Sequence, residues 1–216
     1  LPENHVNHMY TVRDLMGFKP KIVYDIGACV LHWTNEAEKI WPEAEFIAFE
    51  AIDTAEFLYK EKGIRYQMGV FSDEDDKEVD FYQNNHDPGG NSYYKENSEF
   101  SQMADQLYNE SNRRRLKTIT LDTAVKNNNF PDPDLIKIDV QGAELDVLRG
   151  GINTIKKAKH VIVELQHIEY NKGAPNYETV IKYLDEQGFD CSGMFNNSGP
   201  DGDYYFINRA FLKTNK

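Results

Sequence analysis

Acidic residues stand where strands should hand over to helices. Asp25 opens Asp25-Ile26-Gly27-Ala28 after the β-rich Ile22-Val23-Tyr24, and Glu50 closes the run from Glu45 to Phe49. In an open α/β sheet, ligands bind outside the carboxyl ends of the strands, where strand order reverses. Gly27 allows a tight turn and a close backbone approach to a ligand. Glu50, 25 positions after Asp25, can accept hydrogen bonds from a ribose diol. A dinucleotide fingerprint needs further glycines after Gly27, but Val30 and Leu31 follow, so no phosphate nest is legible. The bland alternative is a plain turn glycine and a surface acid.

A second constellation follows the later strands. Lys137 and Asp139 flank Ile138 and point to one side of a strand, and a lysine within an apolar run calls for a partner. Asp139 is the leading candidate for a general base, its alternative being a helix N-cap ahead of Gly142. Glu164 and His167 follow the next strand and can face the same pocket, His167 titrating near neutrality when unperturbed, though a lone histidine is more often a bystander. Ser72 and Asp73 end a third strand, where an adenine edge or a simple turn would place an acid. The loop Pro88-Gly89-Gly90-Asn91-Ser92 can close over a ligand, and Tyr93-Tyr94 suits stacking on a sugar.

Alternating strand and helix patterns position these groups. Strands are expected at Ile22 to Asp25, Glu45 to Phe49, Arg65 to Val70, Leu135 to Asp139 and His160 to Glu164, with helical stretches between them; this is the pattern of parallel strands joined by crossover helices. Two late runs, Phe189 to Phe195 and Tyr204 to Leu212, predict a closing antiparallel hairpin. The expected fold is α/β and Rossmann-like, a mostly parallel seven-stranded sheet with helices on both faces. Its 216 residues suit a single domain, with an N-terminal helical segment over 1–20 and an insertion over 71–116 holding a strand, a loop and a lid helix marked by Phe100, Met103 and Leu107.

Composition narrows the partners. A formal charge of -12 repels phosphate backbones, so nucleic acid is not an expected partner; Arg113-Arg114-Arg115 with Lys117 predicts only a solvated helix end. Cys29 and Cys191 cannot staple a secreted fold, and no zinc pattern joins them to the histidines, so a reducing, cytoplasmic setting is expected. No apolar run approaches the roughly 20 residues of a membrane span. The first residue is Leu1, as expected of one domain of a larger polypeptide.

A cofactor with ribose and adenine but no pyrophosphate points to S-adenosylmethionine. Val23 to Ala28, Ala48-Phe49-Glu50, Phe71-Ser72-Asp73, Leu121-Asp122 and above all Ile136-Lys137-Ile138-Asp139-Val140-Gln141-Gly142-Ala143-Glu144, continued by Leu148-Arg149-Gly150-Gly151, resemble the FkbM family of class I S-adenosylmethionine-dependent methyltransferases. The resemblance covers roughly residues 20 to 170. It departs at Cys29 and Leu31, where the family usually has Asn and Gly, and at Gln141, where Glu is common. It implies methyl transfer to an oxygen, often a hydroxyl of a sugar or natural product.

The expected cofactor contacts are then Asp25, Gly27, Ala28, Glu50, Ala51, Ser72, Asp73 and Asp139. Asp139, Lys137, Glu164 and His167 are the expected catalytic groups, and Asn91, Ser92, Tyr93 and His167 the contacts to a carbohydrate acceptor. No residue is assigned to a metal. Two alternatives stay open at this level: a metal-dependent O-methyltransferase in which Asp139 and nearby acids hold Mg²⁺, and an S-adenosylmethionine-binding module without catalysis.

Overall fold

A computed structural model describes residues 1–85 and 88–212. The strands are β1 (Ile22–Ile26), β2 (Glu45–Glu50), β3 (Arg65–Met68), β4 (Val70–Phe71), β5 (Glu78–Tyr82), β6 (Arg113–Ile119), β7 (Leu135–Ile138), β8 (His160–Gln166), β9 (Phe189–Asn197) and β10 (Asp201–Asn208). The helices are α1 (Glu3–Asp14), α2 (His32–Ile40), α3 (Glu56–Lys62), α4 (Ala104–Leu107), α5 (Leu121–Asn128), α6 (Glu144–Gly150), α7 (Ile152–Ile155) and α8 (Tyr177–Glu186).

Seven strands form one sheet in the order β3-β2-β1-β7-β8-β10-β9. β10 runs antiparallel to both β8 and β9, and the other pairings are parallel, which is the mostly parallel sheet with a closing hairpin that the sequence predicts. The chain builds outward from β1 to β3 and then returns to lay β7 beside β1. Strand order therefore reverses between β1 and β7, and the crevice at their carboxyl ends is where such a sheet takes a ligand.

The central strands are apolar because both faces are covered. Tyr24, Ile26, Phe49, Ile136, Ile138 and Val163 pack on one face against Leu121, Leu145, Leu148 and Leu184 from α5, α6 and α8. On the other, Val23, Leu135, Ile162 and Tyr205 meet Met9 and Val12 of α1 and Trp33 and Ala37 of α2. Each such side chain contributes about 1.5–3 kcal/mol on leaving water. That second face turns polar toward the carboxyl ends, where Asp25 lies in register beside Lys137.

The expected third strand is divided. β3 stays in the main sheet, whereas β4 pairs with β6 in a smaller sheet of order β4-β6-β5. The basic run 113–115 opens β6 rather than ending a helix, because β5 supplies acids across from it: Arg115 lies opposite Asp80, Lys117 opposite Glu78, and Arg115 pairs with Glu78. Opposite charges across an antiparallel pair favour that pairing. The lid helix shrinks to the single turn α4. Leu107 packs with Tyr82 and Tyr108, while Phe100 and Met103 are exposed, so the apolar spacing there is not one buried helical face.

Candidate active site

A cleft of about 610 Å³, mouth included, opens at the carboxyl ends of β1, β2 and β7. Its floor is the turn after β1. The backbone of Gly27 has φ +81, and a Cβ there would lie 1.7 Å from the Asp139 carbonyl oxygen; only glycine lets the β1 and β7 ends come together at this point. Beyond it Cys29 and Leu31 take φ 48 and 66, left-handed conformations that cost a non-glycine residue about 1–2 kcal/mol. Asn and Gly, the usual family residues at these positions, would adopt them more easily.

Glu50 lines the cleft but is largely committed to the backbone. Its Oε2 accepts from Cys29 N at 2.6 Å, and its Oε1 accepts from Ala51 N at 2.6 Å and Ile52 N at 2.9 Å. A carboxylate offers about four acceptor positions, so one remains, and Glu50 can take one ribose hydroxyl fully rather than both. Burial raises its pKa against the lowering pull of those N–H groups. Ala51 also lines the cleft, as do Ile52, Val70 and Phe81, apolar walls suited to a flat aromatic base.

Lys137 and Asp139 form an ion pair at 2.8 Å, with the lysine nearly inaccessible. Burial works against both charges. Asp139 and Asp25 nevertheless raise the lysine pKa, and Lys137 lowers that of Asp139. Gln141 Nε2 donates to Asp139 Oδ1 at 2.8 Å and to Glu164 Oε2 at 3.0 Å, so adjacent strands bring together two carboxyls 25 residues apart. Burial first, then the negative Asp139, pushes the Glu164 pKa well up. Such a pair titrates as a unit, sharing a proton between them. Asp25 lies below, fully buried, with Thr34 donating to Oδ2 at 2.7 Å and Oδ1 without a partner.

The turn ahead of α6 is tied by another acid, and the N-cap position of the helix is Ala143 with no side-chain cap. Glu144, not Asp139, accepts from Val140 N at 3.0 Å and from Gly142 N at 3.2 and 3.1 Å. It holds the turn in which Gln141 has φ 53 and Gly142 φ 99. Burial drives its pKa up to about 7. Below about pH 4.5 its carboxyl is neutral folded or unfolded; from there to about pH 7 unfolding releases its proton, so stability falls by up to about 3 kcal/mol and then levels off. Glu144→Gln removes this contribution, and urea unfolding at about pH 5 and about pH 8 should show a smaller difference in the variant than in the wild type.

The remaining expected residues divide. Asn91, Ser92 and Tyr93 line the cleft; Asn91 Oδ1 accepts from Asn84 N at 2.7 Å, and the Tyr93 and Tyr94 hydroxyls donate to Asp146 at 3.0 and 2.9 Å. Those hydroxyls tie the loop to α6, and the two rings lie against each other with centroids 5.0 Å apart. Ala28 and Ser72 are buried behind the wall. Asp73 is exposed, pairs with Lys77 at 3.6 Å and does not line the cleft. His167 also stands aside, its Nε2 meeting the Tyr204 hydroxyl at 3.0 Å and its ring lying edge-on to Tyr177. Sequence reasoning did not single out Glu144, Ile52 or Phe81 for the site. Among the described residues no group of three His, Cys, Asp or Glu side chains is disposed to hold a metal ion.

Comparison with known proteins fits this geometry. The Methyltransferase FkbM domain matches residues 25–191, from Asp25 in β1 through the end of β8 and on into β9. The chain belongs to the FkbM methyltransferase family. A curated relative, the hexuronic acid methyltransferase AglP of Haloferax volcanii, is 42% identical over 50 residues, which is 23% of this FkbM chain and 21% of the relative. The FkbM fold also superposes on solved structures. The ribosomal protein L11 methylase of Lactobacillus delbrueckii subsp. bulgaricus matches with TM-score 0.52 and 12% identity, over 97% of this chain and 81% of that one. Cofactor-bound Rv0187 from MTB matches with TM-score 0.54 and 11% identity, again over 97% and 81%. The FkbM chain is thus a class I methyltransferase in fold, and no helix among its described residues is long and apolar enough to cross a membrane.

Proposed function

We propose that this methyltransferase uses S-adenosylmethionine to methylate a hydroxyl of a sugar in a glycan or glycoconjugate. The observation that carries the reading is the carboxyl pair Asp139 and Glu164, joined through Gln141 beside the cleft. A sugar hydroxyl is a weak nucleophile until its proton is removed or shared, and a pair holding one proton and one negative charge can accept it. The hexuronic acid in the name of the relative AglP supports a sugar as acceptor class.

The residues present fit the cofactor. Glu50 keeps one acceptor position for a ribose hydroxyl, Ile52 and Val70 offer apolar walls to an adenine, and buried Asp25 holds an unpartnered Oδ1 beneath the turn after β1. When bound, S-adenosylmethionine supplies an activated methyl on a sulfonium. The chain orients the acceptor along the loop Asn91–Tyr93 and takes its proton at the Asp139–Glu164 pair, while Lys137 keeps Asp139 ionised. Alignment at close range supplies much of the acceleration in such a transfer. The test is incubation with S-adenosylmethionine and a panel of neutral and uronate-containing oligosaccharides, with products sequenced by mass spectrometry. Methyl ethers on a sugar support the reading; methyl transfer confined to protein or nucleic-acid acceptors refutes it.

A further inference from the structure

Gln141 is in an unusual position for its residue type. Its φ of 53 is left-handed, a conformation that favours glycine or asparagine, and Gly142 follows directly with φ 99. Strained backbone persists where its surroundings over-determine it, and such positions cluster at functional sites. Here the turn, held by Glu144, aims the side chain back across the carboxyl ends of β7 and β8. One carboxamide nitrogen reaches Asp139 at 2.8 Å and Glu164 at 3.0 Å. It has two N–H donors, one for each acid.

We propose that Gln141 is a positioning residue: its carboxamide clamps Asp139 and Glu164 into a single proton acceptor and fills, with N–H donors, the space between them that a cation would otherwise occupy. The clamp rests on the methyl-transfer reading above for its use, and on geometry for its existence. A glutamate at this position would place a third carboxylate against the other two. Three carboxylates within reach of one point are hard-cation chemistry; two carboxylates bridged by an amide are proton chemistry. The choice of residue at position 141 therefore selects between a proton-sharing and a cation-holding site on the same backbone.

The pair is surrounded by other titratable groups that the test must hold constant. They are Lys137 from β7, Asp25 from β1, Asp201 from β10 with His167 beside it, Glu144 from α6 and Cys29 from the turn after β1. None is altered by substitutions at 141. Donation from the amide favours the ionised pair, so its loss disfavours ionisation.

Two variants of the intact chain decide the matter. Gln141→Leu keeps the bulk and removes both donors; carbon-13 carboxyl NMR should show the pair's titration moving up by about one pH unit, and the acidic limb of the methyl-transfer pH profile should move with it. Gln141→Glu should bind Mn²⁺, followed by its electron paramagnetic resonance, at least about tenfold more tightly than the wild type. A pair that titrates unchanged in Gln141→Leu, or Mn²⁺ affinity unchanged in Gln141→Glu, overturns the clamp. A chain that shows both shifts yet methylates no sugar keeps the clamp and refutes the methyl-transfer reading instead.

Discussion

Asp139→Asn should lower turnover by about 10²-fold or more while leaving S-adenosylmethionine affinity nearly unchanged. The substitution keeps size and one oxygen but removes the charge that Lys137 faces at 2.8 Å and the basicity that the pair needs. The buried lysine loses its nearest counter-charge, though Asp25 remains beside it in register. Breaking a buried pair is destabilising, so the melting temperature should fall as well, and turnover must be read on folded protein. Glu164→Gln should give a comparable loss, and the double variant little more than either single one, because groups acting as a unit are not additive. Turnover within about threefold of the wild type in Asp139→Asn would place the proton acceptor elsewhere.

Glu50→Ala should weaken S-adenosylmethionine binding by about 10²-fold, measured by calorimetry. Three backbone donors, from Cys29, Ala51 and Ile52, converge on this carboxylate, so the variant loses both a ribose acceptor and the clasp that shapes two walls of the cleft. A charged hydrogen bond contributes roughly 1.5–3 kcal/mol, and each buried donor left unsatisfied costs a similar amount. Glu50→Gln separates the two roles: its one carbonyl oxygen serves some of the backbone donors, and affinity should fall less. Unchanged affinity in folded Glu50→Ala would remove Glu50 from the cofactor site.

Much of the fold is written in the chain because the central strands are covered on both faces. Val23-Tyr24, Phe46 to Phe49, Leu135-Ile136 and Val161 to Val163 read as unbroken apolar runs, and burial on two sides demands that pattern. Gly27 and the acids at the carboxyl ends of β1, β2 and β7 were legible for a related reason, since strand ends at a switch point carry the ligand. The misread segments depend on partners remote in sequence. Arg113 to Lys117 form a strand because Glu78 and Asp80 lie across from them. Phe100 and Met103 keep a helical spacing without a helix long enough to use it.

Within the site, what could not be read was who bonds to whom. The occupied oxygens of Glu50 face N–H groups of a turn whose geometry no side-chain pattern records. The meeting of Asp139 with Glu164 depends on the β7–β8 register and on the left-handed turn at Gln141. Asp139 caps no helix, because α6 begins at Glu144 and its N-cap position is Ala143, four residues further on.

The most direct measurement of the central claim is transfer of a deuterated methyl group. Purified protein, S-adenosylmethionine carrying a trideuteromethyl group and a defined oligosaccharide are incubated together, and the product is hydrolysed to its component sugars. The methyl-transfer account gives a trideuteromethyl ether at one sugar hydroxyl, formed in proportion to S-adenosylhomocysteine and lost in Asp139→Asn. Label recovered on nitrogen, carbon or the protein itself, with every sugar hydroxyl unmodified, would contradict it.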